Sequence, residues 1–327
     1  MNFRLIVGTV VAMLAFAGNS VLCRLALEQG SIDPASFTSV RLLSGALMLS
    51  ILLVSIPKLM VQKTAFADNR TNVSALNIAD KLDPAELSVN KTSVNPEAFL
   101  IKSARLLSLR QSSWAGGLSL FVYAAGFSFA YITLPAGTGA LILFATVQIT
   151  MLSYALVKGS RFSFGQWFGF AMALVGLVYL FLPGISAPPL LGALLMVAAG
   201  IAWGVYSILG KRVINPGQST AENFIRASII TLLLSLVFLG NMSISTQGIL
   251  FAIASGAITS GIGYAVWYAI IPLLKAASSA SVQLTVPVIA TVGGVIWLGE
   301  DVSIRIALAS ISILGGVATV ILLSKRE

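Results

Sequence analysis

The stretch LPAGTGALILFATVQITMLSYALVKGSRFS (134–163) returns, 140 residues later, as LKAASSASVQLTVPVIATVGGVIWLGEDVS (274–303). Ala136 meets Ala276, Thr138 meets Ser278, Ala140 meets Ala280, Gly159 meets Gly299 and Ser163 meets Ser303; beyond the quoted stretch, Gly176 meets Gly316. A second pair of stretches matches at a larger offset. Phe16, Ser20 and Arg24 meet Trp203, Ser207 and Lys211 at 187, and Arg41 meets Arg226 at 185. The chain is therefore read as two copies of one unit, with about 46 extra residues lying between Arg41 and Ala136 of the first copy.

Composition says what the unit is made of. The chain has 327 residues, 57% hydrophobic and 9% charged, and a mean hydropathy of +0.95. A soluble domain carries roughly 25% charged residues. Too little polar surface is available to cover a water-exposed core, so lipid must cover it. A helix needs about 20 apolar residues to cross the hydrocarbon. That length predicts spans over 4–23, 35–57, 114–133, 136–157, 165–183, 189–209, 222–240, 247–270, 277–298 and 303–324. The first resembles a secretory signal, but Ser20, Val21 and Leu22 before Cys23 suit cleavage poorly. It is read as a retained helix.

Residues 62–113 are a different material. They hold 12 of the 31 charges and no glycine. Their last part, NPEAFLIKSARLLSLRQ, places Phe99, Leu100, Ala104 and Leu107 with Lys102, Arg105 and Arg110 at helical spacing. This predicts a basic amphipathic helix on the inner leaflet. The segment accounts for the change of offset, and removing it leaves five spans in each copy. The organisation is then 1–61 with 114–183 as the first five-helix repeat, 62–113 as a polar insertion, and 184–327 as the second repeat. Because five is odd, the copies cross the membrane in opposite directions, the usual build of secondary transporters. With the amino terminus inside, 17 of the 20 basic residues fall on the inner side, and Arg24, Arg41 and Arg305 on the outer. That bias places both termini in the cytoplasm.

Other function classes lose their groups. There is no histidine, and Cys23 is the one cysteine. Histidine-based catalysis, nearly all zinc sites and an internal disulfide are excluded, so no catalytic residue, metal or cofactor is assigned. The net charge of +9 follows from inner-loop lysine and arginine, and no nucleic-acid partner is expected.

The aligned residues resemble the drug/metabolite transporter superfamily, specifically its ten-helix EamA-type members. The resemblance rests on GNSVLCRLALEQGSIDPASFTSVRLL (18–43) and LTVPVIATVGGVIWLGEDVSIRIALASISILGGV (284–317). It implies an all-α membrane fold of two inverted five-helix repeats around a central cavity. It also implies transport of small metabolites such as amino acids across a bacterial inner membrane. In that fold the third to fifth helices of each half pair with their counterparts. The long insertion departs from the family pattern. So does the first repeat, with Val147 where Pro287 stands and Ser160 where Glu300 stands.

Polar and aromatic groups within spans mark the candidate site, because they are costly against lipid. Phe16 with Asn19, and Trp203 with Tyr206, form i,i+3 pairs at equivalent positions, with Ser207 beside the second. Gln148, Gln283 and Thr285 are further candidates, and Tyr123 and Tyr264 add aromatic wall. Trp267 and Tyr268 read as an interfacial belt. Pro287 is expected to kink the ninth span and free the carbonyl of Gln283. Glu300 is read as a partner of Arg24 or Arg41 across the outer mouth, and Asp301 or Ser303 as the cap of the tenth helix. No acid lies in the middle of a span. The function read from this is an exporter or facilitator of a neutral or zwitterionic solute by alternating access, in contact with the lipid bilayer. The alternative is a membrane sensor or embedded enzyme in which the insertion binds a partner. A homodimer through peripheral helices is open but not required.

Overall fold

The computed structural model describes residues 3–55, 114–184, 187–210, 213, 215–270, 273 and 282–323, apart from the side chains of 4 and 268. The polar insertion, with its expected amphipathic helix, lies outside the described residues. So does 274–281, the start of the ninth expected span. The described residues are almost entirely helical: α1 Phe3–Glu28, α2 Pro34–Ser55, α3 Trp114–Ala130, α4 Ala136–Val157, α5 Phe164–Phe181, α6 Leu190–Gly210 and α7 Pro216–Val237. Then come α8, in three continuous segments (Thr246–Ile253, Ala254–Ile262, Gly263–Ile270), α9 Thr285–Leu298 and α10 Ile304–Leu322. Among the described residues, eight helices are long and apolar enough to cross a membrane, and α3 and α9 are shorter apolar helices.

Helix starts follow local chemistry. Asp33 Oδ1 accepts from the amides of Ala35 and Ser36 at the head of α2. Asn215 caps α7, with Pro216 at a first-turn position where its missing N–H costs nothing. That cap explains why α7 starts six residues before the expected 222: polar Gln218, Ser219 and Glu222 extend a helix whose apolar run begins later. Ser163 forms a reciprocal capping box with Gln166 at α5, and Ser303, rather than Asp301, caps α10.

Packing interleaves the two halves of the chain. α1 packs on α8 and α9, as α6 packs on α3 and α4, while α2 faces α7, α4 faces α9 and α5 faces α10. The expectation that the third helix pairs with its counterpart is corrected by this arrangement. α3 packs chiefly on α6 and α7, and α8 on α1 and α2, because the small-residue faces lie there. The outward faces are apolar, as Val54, Leu236, Ile311 and Trp297 show. Near α2 the loops join: Ile32 and Ile244 form an isolated bridge, and the amide of Asp33 donates to the Ser243 carbonyl at 2.8 Å.

The middle segment of α8, Ala254–Ile262, is wound as a π-helix. Such segments rotate the following side chains relative to a regular helix and recur at functional sites. Here the α2 backbone lies directly against it. A Cβ on Gly256 would collide with the Arg41 carbonyl oxygen and the Ser44 hydroxyl. Only hydrogen fits at that crossing, and the approach holds Arg41 against the bundle centre.

Gly256→Ala is therefore expected to destabilise the protein by about 1–3 kcal/mol through overpacking against backbone. Gly210→Ala, where an added Cβ meets nothing, is the control. Thermal unfolding of the purified proteins in detergent checks the difference; equal midpoints would refute the close crossing.

Candidate functional site

α1 carries Phe16 and Asn19 into the centre of the bundle. The Phe16 ring lies 5.7 Å from Tyr264 and 5.9 Å from Trp267, both on α8. Tyr264 stacks on Trp203 of α6 at 5.6 Å, and Trp203 stacks on Tyr206 at 5.2 Å. Trp203 also meets Tyr123 of α3 at 4.7 Å, which continues through Phe127 to Tyr131. Phe224 of α7 closes on Tyr264 at 6.1 Å. One aromatic chain thus joins helices from both halves.

Polar groups thread through it. Asn19 Oδ1 accepts from Ser255 Oγ at 2.5 Å, and Asn19 Nδ2 donates to the Tyr123 phenol oxygen at 3.4 Å. Thr259 lies 3.4 Å from the same Asn19 oxygen, but its hydroxyl points more closely to the Ser255 carbonyl, at 2.7 Å. The π-helical segment of α8 thereby presents two hydroxyls to α1. Arg41 of α2 completes the group. Its guanidinium carbon lies 4.7 Å from the Phe127 ring centre and 5.3 Å from that of Tyr123, and Nη2 donates to the phenol oxygen at 3.1 Å.

Arg41 is the principal correction to the sequence reading. It was expected at the outer mouth; it is 1% exposed, seven residues and about 10 Å of helix rise inside α2. The aromatic faces of Phe127 and Tyr123 draw it inwards, which no local pattern encodes. It makes no ion pair among the described residues. The readings of Thr285 and Trp267 also change. Thr285 is exposed and donates back to the Val282 carbonyl at 2.7 Å, so it does not enter the aromatic group. Pro287 lies three residues after a one-residue interruption at Leu284, which separates helical Val282 and Gln283 from α9, the place where its missing N–H leaves the Gln283 carbonyl without its helical partner. Trp267 is buried on Phe16 and belongs to the central group, not to an interfacial belt.

The remaining candidates spread around the group. Tyr206 is buried and donates to Thr220 Oγ1 at 3.2 Å, while the Ser207 hydroxyl returns to the Trp203 carbonyl at 2.8 Å. Gln148 is buried on α4 without a hydrogen bond among the described residues, and Gln283 is half-buried just before α9. Ser255 and Thr259 were missed, since hydroxyls in a small-residue helix read as packing; two serine/threonine residues four apart facing an asparagine were the available signal.

A separate ionic knot closes the end where α1 meets the α3–α4 and α9–α10 connections. Arg24 Nε lies 3.3 Å from Glu300 Oε1, Nη2 lies 3.0 Å from Glu28, and Nη1 donates to the Tyr131 and Ile132 carbonyls. Both Glu300 oxygens accept from the Ala136 amide, at 3.0 and 2.8 Å. The carboxylate therefore caps the N-terminus of α4, where its charge also meets the helix dipole. Of the two partners expected for Glu300, the structure pairs it with Arg24. Burial raises its carboxyl above the ordinary glutamate range, against the opposing pull of the Ala136 amide and Arg24.

The sequence profile of the EamA-like transporter family matches residues 190–322. An uncharacterized protein of Pseudomonas aeruginosa is 42% identical over 313 residues, covering 96% of this chain and 93% of its own. The chain belongs to the EamA-like transporter family. It is a multi-pass membrane protein of a transporter family, and not an enzyme. A relative in Streptantibioticus cattleyicolor, described as a probable terminal-alkyne amino-acid exporter, is 27% identical over 69% of this chain and 76% of its own. A probable amino-acid metabolite efflux pump of Salmonella typhimurium is 25% identical over 52% of this chain and 62% of its own. A solved crystal structure at 19% identity superposes with a TM-score of 0.59 over 98% of this chain and 97% of that one. The fold shared with that structure thus extends over the part of the chain that the profile leaves unmatched.

The ionic knot predicts an asymmetry. Arg24→Gln strands a largely buried carboxylate and is expected to cost about 1–3 kcal/mol, whereas Glu300→Gln keeps a neutral acceptor for Ala136 and costs far less. The double substitution should recover most of the Arg24→Gln loss. Because the folded Glu300 carboxyl binds its proton more tightly than a free one, its contribution favours folding at low pH. That contribution is lost as pH rises through the raised value. The stability of wild type relative to Glu300→Gln should therefore improve on acidification, as thermal unfolding across pH would read. Equal losses in the two single variants would remove this account.

Proposed function

We propose that the protein is a secondary transporter, an exporter or facilitator, that moves small metabolites such as amino acids across a bacterial inner membrane by alternating access. The observation that carries the reading is the single group formed by Phe16, Asn19, Tyr123, Trp203, Tyr206 and Tyr264, drawn from α1, α3, α6 and α8. Aromatic walls with a few convergent polar groups suit a small amphipathic solute. Gln148, Gln283 and Ser207 are peripheral to it.

The ten-span topology in two inverted repeats belongs to the same proposal. It is supported by the aligned stretches and by the contact pattern, in which α1 relates to α8 and α9 as α6 does to α3 and α4. The short α9 spans about 21 Å at 1.5 Å per residue and needs its preceding apolar residues to complete a crossing. Orientation with both termini in the cytoplasm rests on the distribution of lysine and arginine. The Arg24–Glu300 pair, tying α1 to the α9–α10 connection and the start of α4, is proposed as the latch of the outer mouth.

Efflux and uptake in vesicles against a panel of amino acids, with and without a pH gradient, test the reading. Trp203→Ala is expected to reduce flux at least about tenfold, the loss of a fully engaged aromatic contact. Trp297→Ala, on a 67% exposed ring, should leave flux unchanged. Deleting residues 65–108 should also preserve transport. Flux insensitive to Trp203→Ala would overturn the site, and flux abolished by the deletion would give the insertion an active part.

A further inference from the structure

Among the described residues, three hydrogen-bond donors at the centre of the aromatic group find no acceptor. Arg41 Nε and Nη1 are fully buried without a partner there. The third is the Tyr123 hydroxyl. Its oxygen is approached by Arg41 Nη2 at 3.1 Å and Asn19 Nδ2 at 3.4 Å, and both of those groups can only donate. The phenol must therefore spend its lone pairs on them, which leaves its own O–H directed at nothing among the described residues. A guanidinium without a counter-charge is expensive in a low-dielectric interior, and aromatic faces offset only part of that cost. Donors gathered in this way, around a permanent positive charge, describe the complement of an oxyanion.

We propose that Arg41 and Tyr123 hold the carboxylate of the transported solute, which is an amphipathic organic monoanion or amino acid whose apolar body lies along Trp203 and Tyr264. This rests on the transporter reading above and specifies its substrate class. Nε and Nη1 lie on different edges of the guanidinium, each shared with Nη2, so a carboxylate meets one of them beside the phenol, and its single charge matches that of the guanidinium. A dianion would leave excess charge in the interior, because the neighbouring cations are engaged elsewhere: Arg24 with Glu28 and Glu300, and Arg226 with Glu222. A purely cationic solute would face Arg41 with no opposing carboxylate within the group. The ammonium of an amino acid, by contrast, can rest on the stacked faces of Trp203 and Tyr264, which lie 19° from parallel.

Arg41 is 1% exposed, so in this arrangement the aromatic rings seal the donors from both sides. Its position also explains the tight crossing at Gly256. The α2 backbone at Arg41 is pressed against α8, and Ser255, next to Gly256, fixes Asn19, which in turn reaches Tyr123. α1, α2, α3 and α8 are thereby coupled through one guanidinium and one phenol. An anion arriving at those donors would alter the contacts of all four helices at once.

The test is a ligand series on the full-length protein in detergent, read by tryptophan fluorescence and thermal shift. The probes are 3-phenylpropionate, phenylalanine, 3-phenylpropionamide and 2-phenylethylamine. Both carboxylates should bind at least about tenfold more tightly than the amide, as loss of a charge-assisted contact implies, and the amine should bind no better than the amide. In Arg41→Gln the preference for acid over amide should fall to within about twofold, while Arg41→Lys should retain the preference at lower affinity. If the amide matches the acid in wild type, or if Arg41→Gln keeps the preference, Arg41 is a structural cation and the proposal is wrong. The wild-type series decides this even if the variants fail to fold. Vesicle flux of the same probes separates the two readings. Transport indifferent to the carboxylate removes the anion site and leaves the transporter; carboxylate binding without flux of any solute does the reverse.

Discussion

A guanidinium with no counter-charge among the described residues, resting on two aromatic rings inside a bundle of apolar helices, constrains most of what surrounds it. Arg41 cannot be hydrated where it lies, so its neighbours have to supply π-faces and an oxygen, and they do so through Phe127 and Tyr123. Placing it there requires α2 to approach α8 more closely than any side chain allows, which a glycine at 256 and a π-helical turn provide. Tyr123, committed as an acceptor, then binds Asn19, and Asn19 binds Ser255 on the same π-helical turn. The polar centre is a closed loop through four helices with one charge at its origin.

The rest of the molecule accommodates this centre with weak, distributed interactions. Lipid offers no hydrophobic drive between helices, so association rests on close backbone approach and short polar links. Gly169 and Gly316 bring α5 and α10 together near their carbonyls, and Ser39 of α2 lies 2.7 Å from Ser235 of α7. Apart from Arg41 of α2 and the Glu222–Arg226 pair of α7, the charges of the described helices lie near helix ends. The Arg24–Glu300–Ala136 knot ties a helix end, a helix start and a loop together, and it lies apart from the Arg41 group. The two basic residues grouped together from sequence therefore have different work: one binds a carboxylate of the protein, the other has donors to spare.

The two aligned stretches of the chain differ in their helices. α4 runs unbroken from Ala136 to Val157, whereas the equivalent run contains a break at Leu284 and starts α9 only at Thr285. Pro287 follows that interruption by three residues, whereas Val147, at the aligned position, lies within an unbroken helix. Glu300 likewise stands where the other copy has Ser160. The ionic knot thus depends on a residue of the second half, Glu300, that the aligned stretch of the first half lacks.

Much of this was legible in the chain. Membrane residence, most of the helices and the paired aromatic and polar positions on α1 and α6 follow from hydropathy, length and spacing, which are local properties that lipid enforces residue by residue. Tyr123, Trp203, Tyr206 and Tyr264 were singled out because aromatic and polar groups within apolar spans need partners. Which partners they find is not local. Arg41, near the start of its span, reads as interfacial until α3 and α8 are seen to fold over it. Ser255 reads as packing until α1 brings Asn19 to it. The sequence by itself determined where the chain crosses lipid and which groups cannot face it. Only the tertiary structure decided which of those groups satisfy one another, because in a bilayer the partners of a buried donor come from other helices.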